Sequence, residues 1–115
     1  MTEPDPLHAS LTLPARASSI GTVRVFVERV LGDLASARSL DDLRLAVGEA
    51  CASMRGERLH VALEVTSERC HVSCRGVLPP SGDGPAMMRA KLLEALAPDV
   101  RWLADEVRFS VALSA

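Results

Sequence analysis

The spacing of apolar positions along the chain changes between two periods, and each period predicts one kind of element. From Ile20 to Leu34 and from Leu43 to Met54, apolar side chains recur three and four residues apart, which predicts two amphipathic helices. Pro85 suits the first turn of a third helix that ends near Leu96, because Pro98 stops it.

Alternating apolar and polar residues predict strands in the remaining segments. The predicted strands are residues 10–13 at an edge before Pro14, a hairpin of 59–65 and 70–75, and a closing hairpin of 100–103 and 107–113. One face of these strands is apolar, and it carries Leu59, Val61, Leu63, Val65, Cys70, Val72, Cys74, Val107, Phe109, Val111 and Leu113.

Local signals place the helix ends. Ser18 or Ser19 is the expected N-cap of the first helix, and Ser39, with an acidic residue three positions later, is the expected N-cap of the second. Gly56 is a typical residue to stop that second helix.

The element order is strand, helix, helix, strand, strand, helix, strand, strand. Helices with one apolar stripe and strands with one apolar face predict an α+β two-layer sandwich. The expected sheet is mostly antiparallel, with about four to five strands and three helices on one face. Residues 1–9 are expected to be a flexible tail, and residues 10–115 a single domain.

Charge and hydropathy exclude several classes of function. The net charge is −2 with 13 basic and 15 acidic residues, so electrostatics favour neither a nucleic acid nor an anionic membrane as partner. No apolar run approaches the roughly 18 residues of a membrane span, and the N-terminus lacks the basic and apolar regions of a signal peptide. We therefore expect a cytoplasmic protein.

The cysteines do not predict a disulfide framework or a metal site. Cys51, Cys70 and Cys74 are odd in number and lack a secretory signal. On one strand Cys70 and Cys74 would lie about 13 Å apart, at roughly 3.3 Å per residue. Two zinc–sulfur bonds of about 2.3 Å cannot span that separation. We expect buried thiols and no metal ligands.

The segment from Leu43 to Ser53, Leu-Arg-Leu-Ala-Val-Gly-Glu-Ala-Cys-Ala-Ser, resembles the N-box helix of the GHKL (Bergerat-fold) ATPases. It is most similar to the small anti-sigma-factor serine kinases. In that family the helix carries Glu-x-x-x-Asn, whose Glu positions a water and whose Asn holds magnesium. The resemblance makes Glu49 the catalytic carboxylate and places Ser53 where the family has Asn. The order of elements is similar from about Leu11 to Leu113.

The family's adenine-binding box, Asp-x-Gly-x-Gly, aligns with residues 74–78, Cys-Arg-Gly-Val-Leu. Cys74 stands at the position of the aspartate, Gly76 is retained, and Leu78 replaces the second glycine. Asp83 is either a displaced substitute for the aspartate or part of an ordinary Asp-Gly turn. The resemblance thus implies a remnant nucleotide site at Ser53, Cys74, Gly76 and Asp83.

The family's second glycine box, which wraps the triphosphate at a helix N-terminus, aligns with Met87-Met88-Arg89. Both glycines are absent, and the loop between the two boxes is too short for much of a nucleotide lid. Arg89 or Lys91 could offer a cation to a phosphate, although cations are common on helix surfaces.

The resemblance, with these replacements, implies a non-catalytic (pseudo-ATPase) anti-sigma-factor-like domain. Its expected partners are a sigma factor, an anti-anti-sigma (STAS) protein, or a like-folded subunit in a homodimer or heterodimer, and no cofactor is expected. The alternative is a divergent ATP-dependent serine/threonine kinase that uses ATP and magnesium, with Glu49 as base, Ser53 as magnesium ligand and Asp83 as adenine contact. A third possibility is a GHKL-like fold used for an unrelated purpose.

Overall fold

The computed structural model of the protein describes residues 5 to 78 and 84 to 114. Its elements, in chain order, are β1 (Leu7–Pro14), α1 (Ala17–Leu31), α2 (Ala37–Ala52), β2 (Arg55–Val65), β3 (Arg69–Val77), α3 (Gly84–Leu96), β4 (Arg101–Trp102) and β5 (Glu106–Ala112). Both the order and the types of these elements agree with the sequence pattern. No helix in the described ranges is long and apolar enough to cross a membrane.

The strands form one five-stranded sheet in the order β1-β2-β3-β5-β4, and every neighbouring pair is antiparallel. The helices α1, α2 and α3 pack beside one another, and α2 also contacts β3 and β5. Most residues of β2, β3 and β5 that face the helices are buried, those of the edge strand β1 are less so, and most residues on the opposite face are exposed. The predicted α+β sandwich with three helices and an antiparallel sheet is confirmed.

The hydrophobic core lies between the helices and the sheet. It takes one stripe from each helix and every second residue of the strands, as period-two and period-3.6 patterns require. The largest side chains that are fully buried include Leu31, Leu43, Leu59, Leu63 and Leu93. All eleven inward strand positions predicted from the sequence are buried.

The first strand is longer than predicted. It begins at Leu7 instead of Ser10, so residues 7–9, which were assigned to the flexible tail, pair with β2 between Val65 and Leu63. The strand is longer because β2 extends to Val65, and the backbone N–H and C=O groups of its last residues are available to pair with residues 7–9. β1 is an edge strand, as predicted.

The start and end of α1 also differ from the prediction. Its N-cap is Arg16, without a side-chain cap, and neither Ser18 nor Ser19 has that role. The Ser19 hydroxyl instead donates a hydrogen bond of 2.6 Å to the carbonyl oxygen of Pro14. The helix ends before Leu34, whose side chain is exposed despite continuing the apolar period.

Ser36, and not Ser39, is the N-cap of α2. The Ser36 hydroxyl accepts a hydrogen bond of 3.1 Å from the backbone N–H of Ser39. Ser36 also donates its own backbone N–H to the carbonyl oxygen of Leu113, 2.8 Å away at the end of β5. This tertiary bond selects the earlier of two serines that are both chemically suited to cap a helix.

Gly56 does not end α2, as the sequence had suggested. The helix ends at Ala52, and Gly56 is the second residue of β2, with a φ of 98°. A Cβ at this position would lie 2.9 Å from Cγ2 of Val77. Glycine is therefore required by the close approach of two strands and by a left-handed backbone conformation.

A buried carboxylate, Glu106, lies on the face of the sheet opposite the helices. It accepts a hydrogen bond from Ser73 Oγ at 2.6 Å, and the Nε atoms of Arg108 and Arg75 lie 2.7 and 3.2 Å from its oxygens. The hydrogen bond from Ser73 and the two guanidinium groups lower the pKa of Glu106 below its ordinary value of 4.5, although burial opposes them.

We expect Glu106 to make stability depend on pH at the acid end. Because its pKa is lower in the folded chain, the unfolded chain binds the proton first, so stability present above pH 4.5 is lost as the pH falls below it. Urea unfolding at several acidic pH values should show a shallower loss of unfolding free energy for Glu106→Gln than for the wild type. Glu28→Gln, which alters an exposed carboxylate of α1, should retain the wild-type slope. Parallel curves for wild type and Glu106→Gln would contradict this expectation.

Candidate functional site

The residues that resemble a nucleotide site come together where the end of α2 meets β3 and α3. Glu49 and Ser53 are one turn apart on α2, and Glu49 reaches Arg89 of α3. Cys74 and Gly76 of β3 contact the residues that follow Glu49 along the chain, Cys51 and Met54. The structure therefore gathers four of the five predicted site residues, and the fifth, Asp83, lies outside the described residues.

Ser53, at the position of the family's magnesium-binding asparagine, is bonded within its own helix. Its hydroxyl donates a hydrogen bond of 3.0 Å to the carbonyl oxygen of Glu49, and its residue is 5% exposed. Ser53 is also the C-cap residue of α2. The same carbonyl oxygen also accepts the backbone N–H of Ser53 at 3.2 Å, so the hydroxyl adds a second hydrogen bond at the end of the helix.

Glu49 forms an ion pair with an arginine of the neighbouring helix. Its Oε2 lies 3.9 Å from Nε of Arg89, and the two side chains are 22% and 34% exposed. Arg89 was identified from the sequence as a residue that could meet a phosphate, but its partner in the structure is a carboxylate of the same chain. The pair is partly solvated, so its contribution to stability is small, but it places a cation beside the predicted catalytic carboxylate.

Cys74, at the position of the adenine-reading aspartate, is fully buried against α2. A hydrogen bond with the Cys51 thiol raises its pKa, and burial raises it further. A neutral thiol is a weak acceptor and cannot replace a carboxylate that accepts a hydrogen bond from an amino group. Sequence reasoning expected both cysteines to be buried, but it did not identify their contact, since no spacing rule connects α2 with β3.

Gly76, the glycine retained from the family's first box, lies directly against the side chain of Met54. A Cβ at Gly76 would lie 3.2 Å from both Cβ and Sδ of Met54, which is itself 4% exposed. The Gly76 N–H donates to the carbonyl oxygen of Asp105 at 3.0 Å. Met54 therefore fills the space over the one glycine that the first box retains. The sequence had placed Met54 in the apolar stripe of α2 but had not assigned it to the site.

The start of α3 exposes its apolar residues to solvent. The side chains of Met87 and Met88 are 53% and 74% exposed, and Lys91 is also exposed. In the part of the chain that the structure describes, no three His, Cys, Asp or Glu residues converge as a metal site would need. A cavity of about 850 Å³ lies elsewhere, beside the face of the sheet opposite the helices, and none of Glu49, Ser53, Cys74 or Gly76 lines it.

Comparisons with known proteins support the fold. No family model and no curated protein sequence matches the chain. Among solved structures, it is similar to the crystal structure of the RsbU and RsbW domains of Rv1364c from Mycobacterium tuberculosis, with 18% sequence identity and a TM-score of 0.67. The match covers 96% of this chain and 32% of that one, so the chain spans about a third of the length of its neighbour.

The buried thiols should be nearly inert in the folded protein. Burial raises the pKa of Cys70 to about 12, and the pKa of Cys74 is also raised, so little reactive thiolate is present near neutral pH. We expect Ellman's reagent to modify far less than one thiol per chain within minutes, and all three after unfolding in guanidinium. The variant Ser18→Cys, with an exposed thiol on α1, should react at once and serve as the control. Rapid modification of the native wild type would be inconsistent with this burial.

Proposed function

We propose that this protein is a non-catalytic regulatory domain of the anti-sigma-factor type, which acts in transcription control through contacts with other proteins. The observation that carries the proposal is that the residues of the predicted nucleotide site are engaged with other groups of this chain. Glu49 pairs with Arg89, Ser53 donates to a backbone carbonyl, and Met54 covers Gly76. The likeness to a chain with RsbU and RsbW domains agrees with the family that residues 43–53 resemble.

The chemistry of phosphoryl transfer gives a physical reason for the proposal. Such enzymes rely almost wholly on positioning the nucleotide and on neutralising its charge with magnesium and backbone amides. Here the position of the adenine-reading carboxylate holds Cys74, and the cation nearest to Glu49 is already paired with it. These described side chains do not fit a magnesium-bound nucleotide, so we assign them no catalytic step.

The partners that we propose are a sigma factor or a STAS protein, with a second copy or a like-folded subunit as a further possibility. The kinases that residues 43–53 resemble use the region of the first helix at their dimer and sigma-binding surfaces, which favours the first helix over the sheet as the contact. The exposed face of α1 supports this assignment, since it combines charged residues, Arg24, Glu28 and Arg29, with Val25, which is 48% exposed. Because such partners are cytoplasmic, we place the protein in the cytoplasm.

The alternative is a divergent ATP-dependent serine/threonine kinase. It is favoured by one observation, that Glu49 and the serine hydroxyl of Ser53 keep the spacing of the family's Glu and Asn on one helix. A serine hydroxyl can bind magnesium through its lone pairs even while its proton is donated elsewhere. A GHKL-like fold with an unrelated role is the third possibility.

Nucleotide binding separates the first two functions. We expect calorimetric titration with a non-hydrolysable ATP analogue and magnesium, at millimolar ligand, to give no saturable heat and no shift in melting temperature, because Met54 and the ion pair occupy the site. Saturable binding that is lost in Glu49→Ala or Ser53→Ala would contradict this and favour the kinase. The control is Glu28→Ala, an exposed carboxylate of α1, which should leave any heat of mixing unchanged.

Partner binding tests the regulatory role itself. We expect purified sigma factors and STAS proteins of the source genome to include at least one that binds the chain saturably, with the same affinity with or without ATP and magnesium. Because α1 is the expected contact, Arg29→Glu should weaken this binding, whereas Arg38→Glu, the same change on α2, should not. Transfer of the γ-phosphate of ATP to a STAS serine would show a kinase. No binding across the panel would favour an unrelated use of the fold.

A further inference from the structure

A groove crosses the face of the sheet that the helices leave open, and we refer to it as the outer groove. Its cavity of about 850 Å³ is lined by residues from all five strands and by the segment that joins α3 to β4. The residues that matter for its chemistry are His8, Glu64, His71, Ser73, Arg101 and Arg108. It lies on the opposite side of the sheet from Glu49 and Ser53, so it is independent of the remnant nucleotide site.

The strand register explains the shape of the groove. Small side chains stand side by side across three strands, since Ser10 pairs with Ala62 and Ala62 pairs with Ser73. In the same register, Ser73 pairs with Arg108 of β5, and Arg108 pairs with Arg101 of β4. The row therefore forms a low floor that leads to two arginines.

A second row of larger side chains forms one wall of the groove. In this row His8 pairs with Glu64, Glu64 with His71, and His71 with Ser110. Neighbouring strands lie about 4.8 Å apart, so the row from β1 to β5 spans roughly 14 Å, the length of about four extended residues. The groove thus has the dimensions of a short extended peptide that runs across the strands.

The carboxylates nearest the two arginines are already satisfied by the protein. Asp99 accepts hydrogen bonds from the N–H and the hydroxyl of Ser110, at 3.0 and 2.5 Å, and Arg69 Nε donates to the same hydroxyl at 2.9 Å. Glu106 is held by Ser73, Arg75 and Arg108, as described above. These contacts leave little unshared negative charge at this end of the groove.

Arg101 and Arg108 are direct cross-strand neighbours, and like charges in that relation repel each other. Arg108 uses its Nε for Glu106, which leaves its terminal nitrogens for other contacts. Across residues 5 to 78 and 84 to 114, no carboxylate lies within ion-pair distance of Arg101. A carboxylate from outside the chain would relieve this repulsion and could accept hydrogen bonds from both guanidinium groups.

We propose that the outer groove is a docking site for an extended acidic segment of a partner protein, with one of its carboxylates between Arg101 and Arg108. The floor at Ala62 accepts the peptide backbone, and the imidazoles of His8 and His71 are available for its polar groups. Glu64 of β2 also lines the groove, so the carboxylate is placed at the opposite, arginine end. The docking site does not depend on the anti-sigma role, since it uses neither α1 nor the remnant nucleotide site.

Fluorescence anisotropy of a labelled hepta-glutamate peptide, titrated with the full 115-residue chain at low salt, tests this site. We expect saturable binding that weakens at least about tenfold in Arg101→Glu, because the peptide then meets a negative charge. Arg38→Glu carries the same change of charge on α2, on the helical side, and should stay within about twofold of the wild type. Circular dichroism melting confirms that each variant is folded.

A neutral variant separates docking in the groove from general attraction to charge. Ala62→Leu raises the floor without altering charge, and it should weaken peptide binding several-fold, whereas Ala62→Ser should bind like the wild type. The proposal is overturned by the absence of saturable binding, by equal losses in Arg101→Glu and Arg38→Glu, or by wild-type binding in Ala62→Leu. Tighter binding of a labelled oligonucleotide than of the peptide would assign the groove to nucleic acid instead.

Discussion

The packing of α2 against the sheet is the interaction on which the rest of the structure depends. The helix buries Leu43, Ala46, Val47 and Ala50 completely, and it contacts α1, α3, β3 and β5. Removing so much apolar surface from water is the largest favourable term available to a domain of this size. Any ligand that enters at the end of this helix must therefore fit beside a contact that the fold needs. In this chain Met54 extends that contact onto Gly76, and the packing that stabilises the domain also fills the space beside this glycine.

The sequence predicted the interior well, because burial follows the period of the side chains. Alternation identified every inward strand position from Leu59 to Leu113, and the helical stripe from Leu43 to Met54 is buried as expected. The helix ends were wrong for a different reason. Ser36 and Ser39 have equal capping chemistry, and a hydrogen bond to the end of β5, far away in sequence, decides between them. The need for glycine at position 56 likewise comes from the close approach of Val77, which its neighbours in sequence do not reveal.

The sequence did not predict which groups the residues of the predicted site contact. The resemblance named Glu49, Ser53, Cys74 and Gly76, and these residues do lie near one another. Their contacts with Arg89, Cys51 and Met54 join α2 to other elements, and no local pattern reports such distances. The charge of the outer face was also hidden in the sequence. A net charge of −2 conceals the fact that Arg69, Arg75 and Arg108 alternate onto one side of the sheet.

The two faces of the sheet thus differ in what they offer a ligand, and this difference constrains how the regulatory role proposed above would be controlled. A ligand shifts a conformational equilibrium only as far as it binds one state better than the other. If no nucleotide binds beside Glu49, nucleotide cannot change the affinity of α1 for a sigma factor. Control must then come from the amounts of competing proteins, or from occupancy of a second surface that is coupled to the first.

The outer groove and α1 lie on opposite sides of one rigid sheet, so any coupling between them has to pass through the packing of the helices on β3 and β5. A close-packed core is not continuously deformable, so such coupling would require a second, discrete arrangement of this packing. Competition between partners is therefore the simpler mode of regulation for the proposed role.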